Sequence, residues 1–107
     1  MRVGVFGGTF DPIHTGHLRA AEEVRELFSL SRIYFIPVFI PPHKRSREIS
    51  GIDDRLAMAG LAIKGNRFFK VSDMEAKRGG ISYSIDTITT IEETFGDVYF
   101  LIGADAF

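Results

Sequence analysis

Two histidines three residues apart, His14 and His17, stand behind a paired glycine in the stretch Gly7-Gly8-Thr9-Phe10-Asp11-Pro12-Ile13-His14-Thr15-Gly16-His17-Leu18. An apolar run, Val3 to Phe6, precedes the stretch and a helical pattern follows it. It therefore reads as the turn after a first strand, opening onto a helix N-terminus. Such a place attracts anions. Backbone N–H groups and the positive end of the helix dipole converge there, and glycines without a Cβ let a phosphate approach the backbone. The two imidazoles add side-chain donors. The spelling excludes the commoner phosphate loops: Gly4-Val5-Phe6-Gly7-Gly8 is not G-x-G-x-x-G, and no G-K-[ST] follows.

Other chemistry is open to the same residues. Imidazole and carboxylate suit Zn²⁺ or Mn²⁺, so His14, His17, His43 and Asp11 could form a hydrolytic metal centre. Against this, His14 and His17 are not spaced as in H-E-x-x-H, and the glycines around them would go unexplained. His17 taken alone reads as a core histidine, because it begins an apolar stripe. Asp11 reads equally well as an Asx-turn beside Pro12. A second candidate is Pro41-Pro42-His43-Lys44-Arg45-Ser46-Arg47, either a solvated basic loop or a place from which Lys44 reaches a bound phosphate.

The elements that must position these groups follow from periodicity. Arg2 to Phe6 is expected to be a strand. Thr15 to about Phe28 is expected to be a helix with His17, Ala21, Val24 and Phe28 on one face. Ile33 to Val38, β-branched and aromatic, reads as a strand buried on both sides. Ser50-Gly51-Ile52-Asp53 resembles a capped helix start, with Ile52, Leu56, Ala59 and Ile63 facing inward and Gly65 ending a helix that reads as scaffold. Phe68 to Val71 is a third strand, and Lys77-Arg78-Gly79-Gly80 a mobile loop.

A third helix is expected from Ser82 or Ser84 as N-cap, with Ser84, Ile88, Ile91 and Phe95 inward and Gly96 at its end. Its four threonines are poor helix formers, so packing must hold it. Val98 to Ile102 is a fourth strand, followed by Gly103-Ala104-Asp105. The order β-α-β-α-β-α-β argues for a doubly wound, Rossmann-like α/β fold: a parallel sheet with helices on both faces. Ligands in such sheets sit beyond the carboxyl ends of the strands, where each unusual stretch falls.

Composition narrows the classes. The chain of 107 residues is expected to form a single domain, and 45% hydrophobic with 25% charged residues is ordinary globular usage. A net charge of −1 gives no global field for nucleic acid or anionic membranes, so an anion must be held locally. There are no cysteines, which excludes disulfides and thiolate metal sites. The most apolar run, Ile33 to Ile40, is broken by Pro37 and is shorter than the roughly 18 residues of a membrane span, and no signal-peptide core precedes Gly7; a cytoplasmic protein is expected.

The opening motif closely resembles the T/H-x-G-H signature of the nucleotidyltransferase superfamily. Together with Pro41-Pro42-His43-Lys44, Ser82-Tyr83-Ser84-Ile85-Asp86-Thr87 and Gly103-Ala104-Asp105, in that order, it resembles the bacterial nicotinate-nucleotide adenylyltransferases from Arg2 to Phe107. The resemblance implies a strand order of 3-2-1-4 and the transfer of an adenylyl group from ATP, with Mg²⁺, to nicotinate mononucleotide, giving deamido-NAD and pyrophosphate. It implies that His14, His17 and Lys44 polarise the ATP phosphates, and that Gly7, Gly8, Thr9 and Phe10 line the phosphate site. Gly103 and Asp105 would lie on the ATP side, Asp105 facing the ribose. Lys44, Ser82, Tyr83, Ser84, Asp86 and Thr87 would hold the nicotinate mononucleotide, although Asp86 also reads as scaffold and Tyr83 as packing.

Two features depart from the family's pattern. Ser84 stands where Thr is usual, and the chain ends at Phe107 where the family continues with a fifth strand and a late arginine-bearing motif. The expectation is an N-terminal part of the fold with an exposed fourth strand that invites self-association, and weak nucleotide binding with little turnover by these residues alone. Pantetheine-phosphate adenylyltransferases and glycerol- or choline-phosphate cytidylyltransferases share the opening motif but not the later pair. Nicotinamide mononucleotide is the rival acceptor, and an inactive nucleotide-binding fragment the remaining alternative.

Overall fold

The computed structural model describes residues 2–38, 50–78, 89, 91–94 and 96–102. Their elements run β1 (Arg2–Gly8), α1 (Thr15–Leu27), β2 (Arg32–Pro37), α2 (Ile52–Ala62), β3 (Phe69–Val71), α3 (Met74–Arg78) and β4 (Asp97–Ile102). The four strands form one parallel sheet in the order β3-β2-β1-β4, the order expected. β1 is central, pairing Val5 with Tyr34 on one side and with Phe100 on the other.

Alternation along the inner strands sends side chains to two layers. Phe6, Ile33 and Phe35 meet Ala21 of α1 and Ala59 of α2, with Phe10, Ile13, Leu30, Ile63 and Phe69 completing that layer. Val5 and Ile36 face the other way and meet Ile91, with Tyr34, Met74 and Val98 around them. Helices thus cover both faces, as a parallel sheet requires. A Cβ on Gly4 would lie 2.6 Å from Ile33 Cδ1 and 2.9 Å from Leu30 Cδ1, so the central strand leaves that volume to its neighbours.

Several expectations need correction. β1 continues through Gly7 and Gly8, which the sequence places in a turn. Both residues have partners at Ile36 and Pro37 of β2, and the Gly8 carbonyl accepts the Val38 N–H at 3.0 Å. α1 ends at Leu27, and Phe28 leaves the apolar stripe to stack on Tyr99, with ring centroids 5.3 Å apart. Residues 74–78 form α3 where a loop had been expected across Lys77 and Arg78. The Ser72 hydroxyl accepts the Met74 N–H, and the Lys77 N–H donates to the Asp73 carbonyl, which closes the first turn.

The α2 N-cap is Gly51 with no side-chain bond, so the expected capping box is not formed. Of the third expected helix, residues 89 and 91–94 are helical; Ser84, Ile88 and Phe95 lie outside the described residues. Gly96 takes φ +83° and donates its N–H to the Glu92 carbonyl at 2.7 Å, which ends that helix where glycine was read to do so. Among the described residues no helix is long and apolar enough to cross a membrane.

On α1, Arg25 Nε donates to both carboxylate oxygens of Glu22 at 3.1 Å while its guanidinium lies 3.8 Å from the Phe68 ring centroid. That hydrogen bond holds the Glu22 carboxyl below its usual value. A carboxyl with a lowered folded-state pKa stabilises the fold fully above its unfolded value and loses that contribution as pH falls through the folded value. We expect Glu22→Gln to cost about 0.5 kcal/mol at neutral pH. In urea unfolding the difference from wild type should shrink as the pH is taken below the 4.5 of an unperturbed glutamate.

Candidate functional site at the mouth of the first helix

The turn between β1 and α1 leaves the sheet at Thr9. Phe10 takes φ +51°, a left-handed conformation that costs a bulky residue about 1–3 kcal/mol. Its ring repays this by full burial, edge-on to Phe6, Phe35 and His17 at centroid distances of 5.4, 5.8 and 5.1 Å. Gly8 leaves room for that ring, because a Cβ there would sit 3.2 Å from two atoms of it, a tight contact. Phe10 at 0% exposure therefore offers no surface to a ligand in this conformation. Its buried ring anchors the turn.

Both histidines cap α1. His14 is the N-cap in extended conformation, and its Nδ1 accepts the Gly16 N–H at 3.1 Å. His17 reaches back so that its own Nδ1 accepts the His14 N–H at 3.0 Å. The His14 carbonyl accepts the N–H groups of His17 and Leu18. This is the reciprocal geometry of a Ser-x-x-Glu capping box built from two imidazoles. The rings stack with centroids 3.8 Å apart. A Cβ on Gly16 would fall 2.9 Å from His14 Cε1, so glycine at that position lets the ring lie over it.

This changes the chemistry expected of the site. The N–H groups of His14 and Gly16 are not open to an anion, because the imidazoles take them. Each Nδ1 that accepts an N–H cannot carry a proton, so in the neutral ring the proton resides on Nε2. The accepted bonds polarise each Nε2–H further. His14 is exposed. His17 is 7% exposed and edge-on to Phe6, so its reading as a core histidine and its reading as a donor apply to opposite edges of one ring.

Asp11 Oδ2 accepts the Ser50 N–H at 2.8 Å, so it ties the turn to the start of α2 rather than closing an Asx-turn. Beside it lies a residue the sequence reading passed over. Arg55 of α2 is completely buried, and its guanidinium donates to the carbonyls of Ser50, Thr9 and Val38 at 2.9, 3.0 and 2.7 Å. Its signal was legible, for Arg55 falls between Ile52 and Ala59 at helical spacing, a charge on an otherwise apolar stripe.

Gly7, Gly8, Thr9, His14 and His17 are thus gathered at the carboxyl end of β1. Lys44, Ser82, Tyr83, Ser84, Asp86, Thr87, Gly103 and Asp105 lie outside the described residues, as does His43. Among the described residues no three of His, Cys, Asp or Glu come together in a way that could hold a metal ion.

Residues 5–107 match the family model described as cytidylyltransferase-like. Over its whole length the chain is 51% identical to a probable nicotinate-nucleotide adenylyltransferase of Pelobacter propionicus and 46% identical to one of Desulfatibacillum aliphaticivorans. It spans about half the length of these relatives, 50% of each. In structure it is similar to Plasmodium falciparum nicotinic acid mononucleotide adenylyltransferase complexed with NaAD, with a TM-score of 0.71 at 19% identity over 95% of this chain and 50% of that one. It is also similar to a putative nicotinate-nucleotide adenylyltransferase from Vibrio parahaemolyticus, with a TM-score of 0.65 at 18% identity over 95% of this chain and 56% of that one. At such identities the two structures speak for the fold alone.

The double cap separates two roles of His14. His14→Ala should cost about 1 kcal/mol of stability. His14→Asn keeps an acceptor favoured at N-caps and should restore most of it in urea unfolding. Equal losses in the two variants would show that the imidazole does not cap.

Proposed function

The chain belongs to the cytidylyltransferase-like family, and from that premise we propose that it takes part in adenylyl transfer from ATP to nicotinate mononucleotide, giving deamido-NAD and pyrophosphate. The support is the 46–51% identity, over the whole of this chain and half of each relative, to probable nicotinate-nucleotide adenylyltransferases. The observation that carries the reading is the pair of stacked imidazoles at the α1 mouth, each accepting a backbone N–H at Nδ1.

In the proposed reaction a 5′-phosphate oxygen of the acceptor attacks the α-phosphorus of ATP in line. The bond from that phosphorus to the bridging oxygen breaks, and pyrophosphate leaves with the electron pair. No covalent enzyme intermediate is required, so the protein's work is positioning and neutralisation. His14 and His17 would donate from Nε2 to the phosphates on which charge accumulates, and Lys44 would add a full positive charge. Gly7, Gly8 and Thr9 would border the polyphosphate, with Gly103 and Asp105 on the nucleoside side. Ser82 to Thr87 would meet the nicotinate end and read an acid rather than an amide. Mg²⁺ would enter on the phosphates of ATP as part of the substrate. A cytoplasmic setting is proposed with it, and self-association would run through β4, the outer strand beside β1, where Phe100 is 42% exposed.

ATP and each mononucleotide are to be titrated into this chain and into one extended by the remainder that the relatives carry, with pyrophosphate release followed in both. We expect nicotinate mononucleotide to be preferred over the nicotinamide form; a preference for the amide refutes the acceptor assignment. His14→Asn, which keeps the cap, should lower turnover by about 10²–10³-fold. Turnover unchanged in that variant would remove the imidazole from the chemistry.

A further inference from the structure

Asp11 and Arg55 act on one residue from opposite sides. The Asp11 carboxylate accepts the Ser50 N–H at 2.8 Å, and Arg55 Nε donates to the Ser50 carbonyl at 2.9 Å. Arg55 Nη1 then returns to the turn after β1, donating to the Thr9 carbonyl at 3.0 Å. These bonds form a closed circuit from Asp11 through Ser50 and Arg55 to Thr9, completed by the backbone of Phe10. Phe10 is the residue in the left-handed conformation, and its buried ring lies edge-on to His17 at 5.1 Å. Three consecutive residues are thus fixed, Thr9 by its carbonyl, Phe10 by its ring and Asp11 by its carboxylate. His14 follows three positions later, with Ile13 buried before it. α2 is a firm anchor for the circuit, because Ala59 is fully buried in the layer that holds Phe35 and Phe69.

We propose that Asp11 and Arg55 are positioning residues that work as one unit through Ser50, docking the β1–α1 turn on the start of α2 and so aiming the His14 and His17 imidazoles. This rests on the reading of those imidazoles as phosphate donors. The residue types suit the task. A carboxylate makes a charge-assisted bond to a backbone N–H. The rigid guanidinium fork sends Nε and Nη1 toward two carbonyls in fixed directions, which a lysine ammonium on a flexible stem does not reproduce. Because both side chains end on Ser50, loss of either loosens the partner of the other, and their effects should couple. Both would act through the backbone they hold, without touching ATP.

The test follows amide hydrogen exchange in wild type, Asp11→Ala, Asp11→Asn, Arg55→Lys and the double variant Asp11→Ala with Arg55→Lys. The Ser50 N–H reports the clamp, the N–H groups of His14 and Gly16 report the imidazole cap, and the Val5 N–H reports the central strand. Loss of a hydrogen bond to a charged group predicts exchange faster by about tenfold or more at Ser50, His14 and Gly16 in Asp11→Ala and Arg55→Lys, with a smaller change at Val5. Asp11→Asn keeps an acceptor and should restore most of the protection. The double variant should exchange about as fast as the faster single variant. In calorimetric titration ATP with Mg²⁺ should bind about tenfold more weakly to Asp11→Ala than to wild type, and Asp11→Asn should recover most of that affinity.

Faster exchange at Ser50 with no change at His14 and Gly16 overturns the proposal, since the clamp would not reach the cap. Equal acceleration at Val5 overturns it too, as that marks general destabilisation. Multiplying effects in the double variant refute the single unit. A loosened cap with unchanged ATP affinity refutes the positioning role. Should Arg55→Lys fail to fold, the pair Asp11→Ala and Asp11→Asn decides. If wild type binds no ATP, the functional reading falls, while the exchange measurements need no nucleotide and still decide whether the clamp sets the cap.

Discussion

At the mouth of α1 the N–H groups of His14 and Gly16 point at imidazole nitrogens, and the first turn of the helix closes on its own side chains. A helix start normally leaves such donors to water, to a hydroxyl or carboxylate cap, or to a bound anion. Here a heteroaromatic ring takes them on one edge and carries a proton on the other. The N–H groups of His14 and Gly16 stay satisfied whether or not a ligand is present. The same bonds fix the tautomer, stack the rings at 3.8 Å and exclude a side chain at Gly16. A hydroxyl cap would satisfy the helix equally well but would lack a rigid second edge.

The sheet supplies the frame in which that cap has a fixed address. β1 is paired on both sides, with β4 as far as Gly7 and with β2 through Gly8, which holds its carboxyl end in the sheet. From there the chain reverses through Phe10 in a conformation disfavoured by sterics, and the cost is met by burying an aromatic ring among Phe6, Phe35 and His17. Local strain is tolerated because the surrounding packing over-determines it. The ring that anchors the turn also packs edge-on against His17, so the hydrophobic layer beneath the sheet orients a polar group at the site.

On the far side of the turn α2 does more than cover the sheet. Burying a guanidinium is unfavourable unless its donors are met, and Arg55 has carbonyl partners from three separate segments. The Asp11 carboxylate and the Ser50 N–H add a further bond across the same junction. Ala59 of the same helix and Ile63 just after it pack with Phe69 of β3 in the buried layer. Apolar packing and polar clamping thus occupy successive positions of one short helix.

Much of this was legible in the chain, and the reason is periodicity. The β-branched and aromatic run from Ile33 to Val38 and the 3.6-residue stripe from His17 to Val24 are local properties, so strand, helix and parallel order could be read before any coordinates. The phosphate-loop character of Gly7 to His17 was legible for a similar reason, because glycine and histidine types at fixed spacing state what the backbone there must allow. Contacts between distant segments were not. That Gly7 and Gly8 finish a strand depends on the Val38 N–H, that Phe10 turns inward depends on a pocket built by β1 and β2, and that Ser50 gives its N–H to Asp11 instead of capping α2 depends on a residue 39 positions away. Residue order determines which local geometries are cheap. Which donor meets which acceptor is decided only once packing has brought remote segments within hydrogen-bond reach, since a hydrogen bond extends about 3 Å and carries no memory of sequence separation.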